Sequence, residues 1–228
     1  DSVSTLNESK NIVAQLHTKV IAAPGHSLAD QVIELNNKKG EVGAILCAIP
    51  YLRPKDVMKS FSGESGEQKK QALGQAIGEH YQTLFAMAEK QRELIGKPLP
   101  IIATGHLTAM GVTTSESVRD IYIGSLEAFP ASAFPPADYI ALGHIHRPQI
   151  VAKSNHIRYC GSPIPLSFDE LGSQKQVLIV EFDKGVLKSV EPLYVPLFQP
   201  MQVIKGDLES IEEQLKSFSN LVDEPLPT

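Results

Sequence analysis

Three histidines stand out by type and spacing. Gly143-His144-Ile145-His146 sets two imidazoles two residues apart at the end of a short apolar run, and Gly105-His106 sets a third at the end of another. Imidazole nitrogen is a frequent ligand of divalent transition ions. Two histidines so spaced where a strand passes into a loop can lean toward one point, and a flanking glycine lets the backbone turn tightly enough for them to converge. A single Gly-His-x-His also describes core or surface histidines bonded to a carbonyl. The second motif at an equivalent address shifts that balance, because packing alone does not call for three histidines at neighbouring strand ends. His106, His144 and His146 are therefore the candidate metal ligands, while His17, His26, His80 and His156 have no such context and read as surface or locally bonded residues.

Imidazoles alone suit zinc, copper or nickel, whereas a pair of hard phosphate-activating ions such as manganese or magnesium also wants carboxylate oxygens. No Asp or Glu occupies an obvious partner motif, and Asp169-Glu170, after Pro163 to Phe168, reads as a solvated turn. The constellation is incomplete within this chain. Arg147, beside the second motif, and Arg119 are candidates to meet phosphates, with pairing to a carboxylate an equally natural use of a guanidinium. Ser162, after Gly161, is a candidate substrate contact bordering the site, or a plain turn residue before two prolines.

The elements that must position these residues follow from periodicity. Leu99 to Thr104 and Asp138 to Leu142 are apolar strands, and in α/β sheets the loops after strand carboxyl ends are where ligands gather. Val32 to Leu35 and Val42 to Ile49 flank a turn-rich spacer and predict a hairpin, the second strand being apolar on both faces like one covered on both sides. Glu67 to Leu94 carries Leu73, Ile77, Leu84 and Met87 or Ala88 at helical spacing. A helix over Thr5 to Leu16 and a strand over Lys19 to Ala22 precede these. Ser115 to Ile123 and the proline-rich Phe129 to Pro136 form a crossover. After Pro148 the texture turns to hairpins, Gln149 to Ala152 with Ile157 to Cys160 and Gln176 to Phe182 with Val186 to Val190, the latter joined by Asp183-Lys184-Gly185. A strand over Met201 to Ile204, a helix over Leu208 to Phe218 and a linker-like Asp223 to Thr228 close the chain. The sum is α/β, a layered sandwich of two mixed β-sheets flanked by helices.

Composition sets outer bounds. The chain has 228 residues, enough for one large domain, with 42% hydrophobic and 21% charged residues, an ordinary globular balance. The net charge of −5 argues against binding nucleic acid by bulk charge alone, so if the substrate is DNA its phosphates must be met by metal ions, a local basic patch or a missing part of the chain. Cys47 and Cys160 each lie in an apolar run and read as reduced, buried thiols of a cytosolic protein. The opening Asp1-Ser2-Val3 carries neither an initiator Met nor a signal sequence and reads as a cut.

Four blocks make a resemblance specific: Ile101 to Thr108, Val118 to Gly124, Phe134 to Arg147 and Arg158 to Glu170. They are similar to the bacterial SbcD family of nucleases, within the calcineurin-like metallophosphoesterase superfamily, and the similarity runs along nearly the whole chain. That family uses five ordered motifs around two divalent metal ions, usually Mn2+. The last two, Gly-His and Gly-His-x-His, are here. By motif, His106 and His144 resemble ligands of the second ion and His146 a ligand of the first. The resemblance implies that the N-terminal part of the fold, including a general-acid histidine expected before Asp1, is missing and that this fragment alone is inactive. It further implies a nuclease domain over 1–200 and the start of a capping region or linker over 201–228. As function it implies a metal-dependent exo- and endonuclease hydrolysing DNA phosphodiesters in recombination, replication and repair. The implied setting is cytoplasmic, without membrane, as a nuclease homodimer with the SbcC ATPase subunit. A phosphoesterase for small substrates and a non-catalytic scaffold for that ATPase are the competing readings.

Overall fold

A computed structural model describes residues 3–25, 27–58, 65–113, 128–198 and 201–219. The Ser115 to Ile123 crossover, Arg119, His26 and the Asp223 to Thr228 linker lie outside the described residues. Helices are α1 (Val3–Ala14), α2 (Pro54–Val57), α3 (Gly66–Ile95) and α4 (Leu208–Ser219). Strands are β1 (Val32–Asn36), β2 (Val42–Cys47), β3 (Ile101–His106), β4 (Tyr139–Gly143), β5 (Gln149–Ile150), β6 (Ile157–Tyr159), β7 (Gln176–Asp183) and β8 (Val186–Tyr194).

The larger sheet is mixed, with six strands in the order β1-β2-β3-β4-β6-β5. The four inner strands run parallel, and each edge strand returns antiparallel on its neighbour. The second sheet is the antiparallel ribbon β7-β8, whose turn puts Lys184 and Gly185 both at positive φ, the conformation that matches hairpin twist. Its tip approaches the main sheet, since a side chain at Gly185 would meet the Pro98 carbonyl.

Helix α3 shows how local signals and packing cooperate. The Ser65 hydroxyl accepts from the Gln68 amide and the Gln68 side chain accepts from the Ser65 amide, which closes the first turn reciprocally. From there Leu73, Ile77, Tyr81, Leu84, Phe85 and Ala88 form the buried stripe, recurring at three- and four-residue intervals. The Phe129 to Pro136 segment is mostly irregular, with one 3-10 turn over Ala131–Ala133, but not loose. Phe129, Phe134 and Tyr81 form an aromatic cluster with centroids 4.8 to 6.1 Å apart, Phe134 standing edge-on to the other two rings.

Two expected strands do not form. Lys19 to Ala22 is irregular: Pro24 follows closely, and its carbonyl is taken by the Gln31 side chain at 3.0 Å rather than by a ladder. Met201 to Ile204 likewise has no strand partner among the described residues. Both cysteines are free, Cys47 buried and Cys160 half-buried.

Candidate functional site

The carboxyl ends of β3 and β4 bring the first two histidines together. Their parallel register sets His106 beside Gly143, so His144 is the first residue to leave the neighbouring strand. A Cβ at Gly143 would lie 3.2 Å from His106 Nδ1, and the missing side chain is what admits the imidazole against the strand. Gly143 therefore serves close approach; the turn is made by His144 itself, at φ 89°. A non-glycine residue held at positive φ costs on the order of 1–3 kcal/mol, and such outliers cluster at functional sites. The rings of His106 and His144 end 5.1 Å apart, with Tyr51 edge-on to His106 at 6.2 Å.

Hydrogen bonds lock the frame beneath them. Thr104 Oγ1 accepts from the Ile49 amide at 2.9 Å, tying the end of β2 to β3. The Tyr159 hydroxyl, fully buried, donates to the Leu107 carbonyl at 2.7 Å and accepts from the Ala109 amide at 2.9 Å. The chain leaving His106 is thereby pinned to β6. His106 keeps one face open to solvent, but atoms packed around the ring, with the charge of nearby His146 adding to them, hold its pKa below the ordinary histidine value.

His146 has a different setting. Its Nδ1 lies 2.9 Å from Oε1 of Glu170, a carboxylate with no solvent exposure. The other oxygen, Oε2, accepts from Lys175 Nζ, from Ser162 Oγ and from the Leu166 amide. Lys175 Nζ also donates to Ser162 Oγ at 2.9 Å. The reading of Asp169-Glu170 as a solvated turn is thus corrected for Glu170: its charge is compensated by a lysine five residues on, which is itself 4% exposed. Ser162 lies inside, 8% exposed, with its hydroxyl engaged in this cluster rather than offered to solvent. Arg147 is partly exposed, its Nη2 3.8 Å from Asp169 Oδ2 and 3.4 Å from the Asp169 carbonyl, while its Nε is buried without a partner.

Three imidazoles fit the nitrogen side of a divalent-ion site. They do not close one: among the described residues no group of three or more His, Cys, Asp or Glu side chains lies close enough to hold an ion. Glu170 and Lys175 were missed from sequence. The only local signal was the end of the Arg158 to Glu170 block; nothing near Lys175 marks it as buried.

The sequence aligns with curated nucleases along nearly its full length. It is 56% identical over 225 residues to the SbcD subunit of nuclease SbcCD from Escherichia coli K12, covering 99% of this chain. The chain belongs to the SbcD family. More distant SbcD-family relatives are the proteins of the same name from Rhodobacter capsulatus, 33% identical over 184 residues, and Staphylococcus epidermidis, 30% over 190. These alignments cover 79% and 82% of this chain and 43% and 46% of those proteins. The chain spans about half the length of the curated SbcD relatives it matches, 55% for the E. coli protein. No protein-family model matches it. No helix among the described residues is long and apolar enough to cross a membrane.

Proposed function

We propose that this chain is part of the nuclease domain of a metal-dependent DNA phosphodiesterase, with His106, His144 and His146 as nitrogen ligands of its divalent ions. The observation that carries the reading is the strained His144, turned at the end of β4 so that its ring stands 5.1 Å from that of His106 at the end of β3. Such strain is a common mark of functional sites, and an SbcD-family sequence supplies the reaction class. When bound, divalent ions of this kind polarise a phosphoryl group and activate water.

The residues of this chain hold and orient. The surroundings of His106 hold its pKa below the ordinary histidine value, which favours the neutral ring and its lone pair. Arg147, its guanidinium 3.8 Å from the Asp169 carboxylate, is the residue we assign to contact a phosphate. We expect these 228 residues alone to cleave nothing, since the family resemblance assigns carboxylate ligands and a general-acid histidine to motifs that this sequence does not contain. Mn2+ is the ion we favour, with the SbcC ATPase subunit and a second nuclease subunit as partners, a cytoplasmic setting, a nuclease domain over 1–200 and a capping or linking segment over 201–228.

Mn2+-dependent cleavage of duplex DNA by the protein expressed from its complete gene tests this. Cleavage lost in His144→Ala supports it. An unmutated protein that cleaves nothing, with or without the ATPase subunit, would refute it.

A further inference from the structure

We propose that Glu170 is the positioning residue for His146: backed by Lys175 and Ser162, its carboxylate fixes the imidazole as the Nδ1–H tautomer and leaves Nε2 as the ring's lone pair for a divalent ion. The part concerning the ion rests on the reading above; the part concerning the tautomer does not.

The geometry carries it in three steps. A carboxylate paired with an ammonium group can only accept, so at 2.9 Å the proton between Glu170 and His146 sits on Nδ1. The ring cannot satisfy that contact with the other tautomer. Next, Oε2 is occupied by Lys175, Ser162 and the Leu166 amide, while Oε1 faces the histidine at 2.9 Å, with the Ser167 hydroxyl farther off at 3.5 Å. Finally, the arrangement is expensive for a merely structural turn. Glu170 is fully buried and Lys175 nearly so, and a buried ion pair of this kind is often no more stabilising than apolar residues of the same shape. A carboxylate behind an imidazole is the usual means by which proteins orient a metal-binding histidine and raise its basicity.

The cluster also explains why the loop after β6 is held where it is. The Ser162 amide donates to the His146 carbonyl at 3.1 Å while its hydroxyl joins Lys175 and Glu170, so one residue anchors both the backbone and the ring support of His146.

Two charge-balanced variants isolate the hydrogen bond. Glu170→Gln/Lys175→Met removes both charges but keeps a carbonyl oxygen facing His146; Glu170→Leu/Lys175→Met removes the acceptor as well. Long-range 1H–15N correlation spectra of this chain, with the His146 ring assigned by its loss in His146→Gln, read the tautomer without any metal. The expected result is Nδ1–H in the wild type and in the glutamine variant, and an Nε2–H or mixed ring in the leucine variant. A wild-type Nε2–H ring overturns the proposal whether or not either variant folds, as does a leucine variant that keeps Nδ1–H. Calorimetric titration with Mn2+ alone, on the protein expressed from its complete gene, separates this from the underlying reading. The leucine variant should bind about 10–100-fold more weakly than the glutamine variant. Equal binding by the two, with His144→Ala impaired, sinks the positioning role and spares the metal site. Unchanged binding in His144→Ala sinks the metal site itself.

Discussion

Replacing Gly105 by alanine should destabilise the protein through one neighbour, the Tyr81 hydroxyl. A Cβ built at Gly105 overlaps that hydroxyl and comes within 3.0 Å of Leu142 Cδ2 and 3.3 Å of Tyr81 Cζ. Tyr81 cannot swing away: it is 1% exposed, packed against Phe129 and Phe134, and donates to the Thr104 carbonyl at 3.0 Å. Losing that bond costs about 1 kcal/mol. Forcing a methyl group into a packed core adds about 1–3 kcal/mol. The reduced freedom of the unfolded chain returns about 0.4–1 kcal/mol, since the glycine is not at positive φ. The net expectation is about 1–4 kcal/mol, read as a fall in the urea midpoint at unchanged slope. The Tyr81→Phe background is the decisive control. Without the hydroxyl the closest ring atom is Cζ at 3.3 Å, a crowded but adjustable contact. Gly105→Ala should therefore cost at least about 1 kcal/mol less in that background, a coupling well above the roughly 0.5 kcal/mol expected of independent sites. Strict additivity of the two substitutions would refute this account of why a glycine precedes His106.

Three further outcomes follow from burial. Lys175→Met alone leaves the Glu170 carboxylate buried without its cation and should lose about 3–5 kcal/mol, most of it recovered when Glu170→Gln is added; equal losses in single and double variants would contradict the pairing. Burial holds the His80 pKa below its ordinary 6.5, so the unfolded chain takes up the proton first as pH falls. The stability this residue contributes above about pH 6.5 is then lost as pH drops through its folded pKa, and His80→Gln should show a smaller drop in urea midpoint between pH 7 and pH 5 than the wild type. Burial pushes the Cys47 thiol up to about 12, so a thiol reagent at pH 8 should label half-buried Cys160 first and Cys47 only on unfolding; equal native rates would be inconsistent with the structure.

Much of this protein was legible locally. Helix α3 announces itself through Ser65, Gln68 and a stripe of apolar residues one turn apart, because capping and amphipathicity are properties of neighbouring residues. The hairpin of β1 and β2, the apolar strands β3 and β4, and the two Gly-His motifs at their ends are read the same way; that β3 and β4 pair in parallel is not. The likeness to SbcD nucleases was legible too, carried by contiguous blocks.

What only the tertiary structure decided depends on partners distant in sequence. Lys19 to Ala22 and Met201 to Ile204 have strand-like composition, but a strand exists only where another offers its hydrogen bonds, and none does among the described residues. Asp169-Glu170 has the composition of a solvated turn. Its fate was set by Lys175 five positions ahead and His146 twenty-four behind, which together make burial of Glu170 tolerable. The same holds for Gly143 and His144. Sequence placed the turn on the glycine, whereas the fold puts the glycine against the His106 ring and the strain on the histidine. Residue type and spacing named the groups able to do chemistry; the strand register and the buried charge behind His146 determined how they face one another.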